Sequence, residues 1–227
     1  MIPYKDLQPP KRFPLLTILL VTINSVIFFY QASLPEPLQR AFVYKYSVIP
    51  LEFQRGGNLP ESPGLSPLWS MLTALFLHGG WLHLIGNMLY LWIFGGKVEE
   101  RMGRIEFLVF YFLCGITATI AQVAVTLHSP IPLLGASGAI SGILAVSLRL
   151  FPKAKIAVLV PVFIVLRRIV LPAWLILGSW IVIQLLEVSS ATNAVGGQAF
   201  MAHIGGFFAG FVLMPFFLGT VKKQGRR

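Results

Sequence analysis

The residues best suited to chemistry in this chain are a serine and a histidine, each set among small residues in otherwise apolar sequence. Ser137 lies in the run Gly-Ala-Ser-Gly at 135–138, and His203 lies in Ala-His-Ile-Gly-Gly at 202–206. A serine hydroxyl is a poor nucleophile until a base removes its proton, and a neutral imidazole is the usual base. The pair therefore predicts acyl transfer, with Ser137 as the nucleophile and His203 as the base.

Attack by a serine creates an oxyanion, which requires hydrogen-bond donors. His83 and Asn87 are four residues apart, so they share one face of a helix. We expect their side chains to stabilise the oxyanion together with the backbone N–H groups of Ala136 and Ser137 at the start of a helix, where the helix dipole also favours negative charge. The alternative is that the histidines only satisfy buried backbone groups and that the glycines only pack helices.

The composition indicates an integral membrane protein. Of the 227 residues, 56% are hydrophobic and 11% are charged, whereas about a quarter of a soluble domain is charged. The net charge of +10 comes from 18 basic residues in short clusters beside apolar runs, which is typical of loops that face anionic lipid rather than of a nucleic-acid-binding surface. The single cysteine, Cys114, cannot form an internal disulfide and is predicted to be a small buried hydrophobe.

Six apolar segments are predicted to cross the membrane, because a helix needs roughly 20 residues to span a hydrocarbon core about 30 Å thick. Residues 32–67 are too polar to span and are predicted to form a structured outer loop with short interfacial helices. The apolar run 156–166 has only 11 residues and is predicted to lie at the interface. We expect an all-α membrane protein with one domain over 1–227 and spans at about 13–30, 81–96, 107–127, 135–148, 169–186 and 200–218.

The distribution of lysine and arginine between the loops supports this count. With six spans, one face of the membrane receives 15 of the 18 basic residues, and the other face receives only Arg40, Lys45 and Arg55. Cytoplasmic loops carry the excess of basic residues in membrane proteins. The sequence therefore predicts that both termini are cytoplasmic.

The same topology places the polar residues at one depth. The second, fourth and sixth spans all begin at the outer face, and the polar residues lie near their starts. Small residues recur at four-residue intervals in the fourth span, at 138 and 142, and in the sixth, at 202, 206 and 210. Because small residues let helix backbones approach closely, we expect these spans to bring Ser137 and His203 within hydrogen-bond distance.

These motifs resemble those of the rhomboid intramembrane serine proteases, whose six-span core carries a Gly-x-Ser-Gly nucleophile motif and a later Ala-His base motif. The likeness covers roughly residues 69–218 and includes His83 and Asn87, which the family uses at its oxyanion site. His78 and the run Gly-Gly-Lys-Val-Glu-Glu-Arg-Met-Gly at 95–103 also match. Four separated motifs in the family order make the resemblance specific.

Two positions depart from the family pattern. Family members often carry a Trp-Arg pair in the first loop, where this chain has Trp69 and Ser70, so that loop is expected to be anchored differently. An aromatic residue commonly follows the nucleophile by four positions and stacks on the histidine, where this chain has Ser141. Ser141 is therefore an alternative nucleophile on the same helical face, although Ser137 at the helix start is favoured.

The resemblance implies a serine endopeptidase that cleaves transmembrane segments of single-span or multi-span membrane proteins near the outer face of the bilayer, at a bond with small residues around it. A Ser-His dyad is expected, because Asp6 lies on the opposite side of the membrane and Glu187 is the only outward acid near a span end. We expect no metal or organic cofactor, and the expected partners are substrates and membrane lipids, without nucleic acid. The predicted location is a bacterial or archaeal plasma membrane, with the site open to the outer side.

Other kinds of membrane protein fit the sequence less well. A zinc protease would carry His-Glu-x-x-His and an aspartyl protease would carry aspartates within its spans, and the sequence has neither. A transporter is disfavoured because no repeat relates the two halves and the polar residues cluster near one face. The remaining alternative is a non-catalytic rhomboid-like protein that binds transmembrane helices, although such relatives typically lack the serine or the histidine.

Overall fold

A computed structural model describes residues 2–57, 64–162, 165–190 and 200–218. Over this part of the chain the main elements are helices, and a 3₁₀ turn at Ala74–Phe76 follows the fourth of them. In chain order the helices are α1 (Leu15–Ser33), α2 (Glu36–Tyr46), α3 (Pro50–Arg55), α4 (Pro67–Thr73), α5 (Trp81–Met102), α6 (Arg104–Val125), α7 (Ser137–Leu150), α8 (Ala173–Ser190) and α9 (Phe200–Leu218).

Helices α1 and α5 to α9 occupy the six apolar segments predicted from the sequence. By length and composition, α1, α6 and α9 can each cross a membrane, and residues 67–76 with α5 supply a fourth crossing if this pair, bent by 82°, is one broken span. Helix α7 and the part of α8 from Ala173 to Gln184 are apolar but shorter. The described ranges therefore contain three or four candidate spans, as expected of an integral membrane protein.

The prediction of an all-α membrane protein is correct only in part: the described residues are mostly helical, but three strands form an antiparallel sheet in the order β1-β2-β3. Strand β1 (Ile2–Asp6) pairs with β2 (Lys155–Val162), which pairs with β3 (Val165–Pro172). The run 156–166 was predicted only to lie at the interface, yet it is rich in the β-branched residues that favour strands. Strand β3 also takes residues 169–172 from the predicted fifth span, so the helix begins at Ala173 instead.

The helices that carry the candidate serine and histidine meet along a seam of glycines. A Cβ atom built on Gly206 of α9 would overlap the carbonyl oxygen of Gly138 in α7, and one on Gly210 would lie 2.5 Å from the carbonyl oxygen of Gly142. On the α6 side, a Cβ on Gly138 would lie 2.5 Å from the Ala118 methyl group. Only glycine permits this backbone contact, which holds α6, α7 and α9 together as one packed unit.

Charged side chains in the last turns of α5 bind the N-terminal part of the chain. The buried Glu99 carboxylate accepts the backbone N–H of Leu16 at 3.0 Å, and the backbone N–H and hydroxyl of Thr17, each at 2.8 Å. These bonds satisfy donors at the start of α1 that have no partner within the helix. Lys97 pairs with Asp6 of β1 at 2.5 Å, which fixes the sheet beside the same end of α5.

The segment predicted as an outer loop contains short helices, as expected, namely α2 and α3, and residues 58–63 lie outside the described part of the chain. It is joined to the segment before α7 by an isolated antiparallel bridge between Val48 and Leu133. The Thr73 hydroxyl at the end of α4 donates to the Tyr46 carbonyl at 2.7 Å. These contacts anchor the outer segment close to the turn that leads to Ser137.

Candidate catalytic site

Ser137 is the first residue of α7, immediately after a turn that requires glycine. Gly135 has φ +122°, a conformation that side chains disfavour, and its N–H donates to the Ala74 carbonyl at 2.8 Å. The turn ends at Ala136, and α7 begins with the serine. The N–H groups of the first helical turn have no partner within the helix and lie at the positive end of its dipole. The serine hydroxyl and a set of backbone donors are therefore close together.

His203 in α9 lies beside this serine. Its Nε2 atom is 2.9 Å from the Ser137 hydroxyl oxygen, which is hydrogen-bond distance. The two residues are 66 positions apart in the chain and meet because the glycine seam brings their helices into backbone contact. The start of α9 is also held by Gln122 of α6, whose buried side-chain oxygen accepts the Ala202 N–H at 3.2 Å.

His83 lies on the other side of the Gly135 turn. A Cβ on Gly135 would be 2.8 Å from His83 Nε2 and 3.7 Å from Asn87 Nδ2, so both side chains face this turn. The Gly79 N–H donates to His83 Nδ1 at 3.4 Å. Because a neutral imidazole carries one proton, an accepting Nδ1 leaves the N–H on Nε2, which faces the turn before Ser137.

Asn87 is held in place by His78. The Asn87 Nδ2 atom is 3.0 Å from His78 Nε2, and His78 is fully buried. Its carbonyl oxygen in turn accepts the buried Gln31 side-chain N–H of α1 at 2.7 Å. An amide nitrogen has two N–H groups, so this bond leaves one Asn87 donor for a ligand near Gly135.

Ser141 occupies the position where an aromatic ring was expected. It is fully buried, and its hydroxyl donates to the Ser137 carbonyl oxygen at 2.7 Å, one turn back in α7. His203 Nε2 is hydrogen-bonded to the Ser137 hydroxyl. The geometry therefore favours Ser137 over Ser141 as the partner of the histidine.

Two residues of α8 that were not singled out from the sequence contact His203. The Trp180 ring lies 5.7 Å from the imidazole between centroids, tilted by 47°. The Gln184 Oε1 atom is hydrogen-bonded to His203 Nδ1. Both residues lie on one face of α8 because they are four apart, the same spacing as His83 and Asn87, and this spacing could have identified them. The side chain of Glu187, considered from the sequence as an outward acid, lies outside the described part of the structure.

The candidate residues bring together a hydroxyl, an imidazole and several hydrogen-bond donors. Over the described ranges, no group of three or more His, Cys, Asp or Glu side chains could hold a metal ion. The cavity beside Ser137 has a volume of about 20 Å³ and is lined by Gly115, Ala118 and Ala202 together with Leu75, Leu133 and Leu134. A hydroxyl bonded to an imidazole, with hydrogen-bond donors nearby, is the arrangement that acyl transfer requires.

A family model described as the rhomboid domain matches residues 66–220 of this chain. The chain belongs to the rhomboid family. Rhomboid-like protein 11, chloroplastic, of Arabidopsis thaliana is 30% identical over 159 residues, which are 65% of this chain and 52% of the relative. The rhomboid protease GluP of Bacillus subtilis is 46% identical over 76 residues, or 34% of this chain and 14% of the relative.

Mitochondrial rhomboid protein 1 of Saccharomyces cerevisiae is 31% identical over 169 residues, 70% of this chain and 44% of that rhomboid. The chain thus spans about half or less of the length of these three relatives. Their names include both a rhomboid protease and a rhomboid-like protein, and they come from different compartments. Family membership therefore leaves the activity and the membrane of this rhomboid to be argued from its own residues.

Proposed function

We propose that this chain is an intramembrane serine endopeptidase that cleaves transmembrane segments of single-span or multi-span membrane proteins. The observation that carries the proposal is the hydrogen bond between the Ser137 hydroxyl and His203 Nε2. A serine bonded to a neutral imidazole can pass its proton to the ring as it attacks a carbonyl carbon. The rhomboid domain match and the similarity to a rhomboid protease support the same activity.

In the proposed reaction, Ser137 Oγ bonds to the scissile carbonyl carbon while its proton moves to His203 Nε2. The carbonyl electron pair moves to the oxygen, which forms a tetrahedral oxyanion. When this collapses, the carbon–nitrogen bond breaks and Nε2 gives its proton to the leaving amine. Water then attacks the acyl-enzyme as Nε2 removes a water proton, and the released serine recovers its hydrogen from the same nitrogen.

The oxyanion is proposed to lie between the start of α7 and the Gly135 turn. Backbone N–H groups of Ala136 and Ser137 approach it from one side, and the Nε2–H of His83 with an Asn87 amide N–H approaches from the other. This assignment is supported by the 2.8 Å separation between His83 Nε2 and a Cβ built on Gly135. One such donor is worth roughly 100-fold to 1,000-fold in kcat.

The proposed substrate has small residues at the cleaved bond. The cavity beside Ser137 supports this specificity, because its volume of about 20 Å³ leaves room for only a small side chain next to the serine. A transmembrane helix must unwind locally to present such a bond. We therefore expect a substrate with helix-weakening residues near the outer end of its span.

The proposed topology has six spans with both termini in the cytoplasm, and a site that opens to the outer side of a bacterial or archaeal plasma membrane. The 15 to 3 division of basic residues between the loops supports this topology, and GluP is a bacterial relative. Protease-accessible tags at each terminus test it in inside-out and right-side-out vesicles. A C-terminal tag exposed on the outer side would contradict the six-span arrangement.

Cleavage of a single-span substrate by the purified protein in detergent tests the activity. We expect the wild type and Ser141→Ala to cleave, and Ser137→Ala and His203→Ala to lose cleavage. Full activity in Ser137→Ala would overturn the assignment, and loss in Ser141→Ala alone would move the nucleophile by one turn. A wild type that binds the substrate helix without cleaving it would instead indicate the non-catalytic alternative.

A further inference from the structure

The side chain of Gln184 contacts the imidazole of His203 at the ring nitrogen that does not face Ser137. His203 Nε2 is bonded to the serine hydroxyl, and Nδ1 is bonded to Gln184 Oε1. Gln184 is only 7% exposed, so the contact is shielded from exchange with bulk water. The imidazole therefore has a defined partner at each of its two nitrogens.

The chemistry of the two partners determines where the histidine proton resides. An amide oxygen only accepts hydrogen bonds, so the nitrogen that faces it must carry the hydrogen. A neutral imidazole has one N–H, and with that hydrogen on Nδ1 the Nε2 atom has a free lone pair. This lone pair is what accepts the Ser137 proton, whereas the opposite tautomer would donate to the hydroxyl and could not act as a base.

We infer that Gln184 is a positioning residue that keeps His203 in the tautomer and ring orientation required of the base. The inference rests on the proposed function of Ser137 and His203. It replaces the expectation of an unassisted dyad with a Ser-His-Gln arrangement whose third member is uncharged. When Nε2 takes a proton, Nδ1–H continues to donate to the same amide oxygen, and the positive ring faces a carbonyl dipole without any rearrangement.

An uncharged third partner suits this place in the protein. A carboxylate here would have to be transferred out of water into a largely apolar region, which is costly unless it is paired. An amide oxygen supplies an acceptor without that cost. Trp180, one turn before Gln184, places its ring beside the imidazole, where it restricts rotation of the histidine ring about the Cβ–Cγ bond.

The test compares Gln184→Met and Gln184→Glu with the wild type in the full-length purified protein, by steady-state cleavage of a single-span substrate. Methionine has a similar length but no comparable acceptor, whereas glutamate restores an oxygen in the same position. We expect Gln184→Met to lower kcat about tenfold, the range expected from the loss of one hydrogen bond, with KM unchanged. Gln184→Glu is expected to keep more of kcat than Gln184→Met, because a glutamate side-chain oxygen can still accept the Nδ1 hydrogen.

Ser179→Ala is the control on the same helix, because the Ser179 hydroxyl donates to the Ile176 carbonyl within α8 and not to the imidazole. We expect it to change kcat by less than about threefold, since only one hydrogen bond within α8 is lost. Equal kcat for Gln184→Met and the wild type would overturn the positioning role. So would a Gln184→Glu variant that is as slow as Gln184→Met.

A parallel measurement with Ser137→Ala separates this inference from the proposed function. If the wild type cleaves and Ser137→Ala does not, but Gln184→Met matches the wild type, the dyad stands and the role of Gln184 fails. If Ser137→Ala still cleaves, the proposed function itself fails. The rate of Ser137 labelling by a fluorophosphonate should follow the same order as kcat across the Gln184 variants, because it reports activation of the nucleophile without substrate entry.

Discussion

Helices α7 and α8 both pack against α9, which carries His203, but they do so in different ways. Helix α7 meets α9 through glycine backbones, with Gly138 and Gly206 so close that neither tolerates a side chain without movement. Helix α8 meets α9 through the side chains of Trp180 and Gln184 and borders an apolar cavity lined by Ile181 and Phe211. The first contact determines how far apart Ser137 and His203 lie, and the second determines how the imidazole is oriented.

This difference separates two requirements of the proposed chemistry. The distance between nucleophile and base depends on backbone contacts, which can change only if whole helices move. The orientation of the base depends on side chains of a helix that packs less extensively in this structure. Substitutions in the seam should therefore act on folding and activity together, and substitutions in α8 should act mainly on kcat.

The largest effect is expected from Gly206→Ala. The added methyl group would overlap the Gly138 carbonyl oxygen, so the helices must separate at a cost of about 3 kcal/mol in the free energy of unfolding, and the Ser137–His203 bond is lost with them. Thermal unfolding in detergent should show the loss of stability, and substrate cleavage should show the loss of activity. Gly178→Ala in α8 is the matched control, because nothing lies within 4 Å of its added Cβ. Equal stability of the two variants would contradict the close backbone contact between α7 and α9.

Gly135→Ala should act on the site more than on the fold. Alanine is strained at φ +122°, and its Cβ would lie 2.8 Å from the His83 ring, which displaces an oxyanion donor. We expect kcat to fall roughly 100-fold, as for the loss of one such donor, and the free energy of unfolding to fall by about 1–3 kcal/mol from the strain.

Gly80→Ala provides the comparison for Gly135→Ala within the same region. Gly80 has an extended backbone and open space around its Cβ position, so cleavage and stability should stay close to those of the wild type. If Gly135→Ala were equally active, the placement of the oxyanion beside this turn would be wrong.

Glu99→Gln tests whether the tightly held part of the molecule includes α1. An amide cannot accept all three hydrogen bonds that the carboxylate receives from Leu16 and Thr17, so we expect a loss of about 2 kcal/mol in the free energy of unfolding. The kcat of the folded fraction should not change, because Glu99 lies at the opposite end of α5 from His83. Glu36→Gln, which removes an exposed ion pair with Arg40, should leave the free energy of unfolding unchanged. A similar loss in both variants would contradict a stabilising role of the Glu99 hydrogen bonds.

The smallest effect is expected from Trp180→Leu. A ring contact is worth about 0.5–1.5 kcal/mol, so we expect kcat to fall by up to about tenfold, with little change in the unfolding temperature. Trp174→Leu is the control, because Trp174 lies on the same helix and is 52% exposed. A drop in stability as large as that of Gly206→Ala would show that α8 is part of the rigid unit and would remove the distinction between the two contacts.

Much of the site could be predicted from local sequence, because each motif carries its own structural signal. Small residues at four-residue intervals indicated that α7 and α9 meet, and the structure brings Ser137 and His203 to hydrogen-bond distance. The spacing of His83 and Asn87 placed both on one helical face, and both face the Gly135 turn. Their roles in catalysis remain a proposal.

The sheet and the third partner of His203 were missed for physical reasons that differ. Strand β1 pairs with a segment about 150 residues away in the chain, as Ile2 and Leu159 show, and no local pattern identifies such a partner. Gln184 was missed because only charged residues were considered as partners for the histidine, although a neutral amide oxygen is better suited to an apolar region. The start of α8 shifted to Ala173 because the preceding apolar residues complete strand β3.

Covalent labelling by a fluorophosphonate, with the modified residue mapped by mass spectrometry, tests the central claim most directly. If Ser137 is the nucleophile and His203 is its base, the wild type should be labelled at Ser137, and His203→Ala should lose the label while remaining folded. Labelling at Ser141, or labelling of Ser137 that is as fast in His203→Ala as in the wild type, would contradict it.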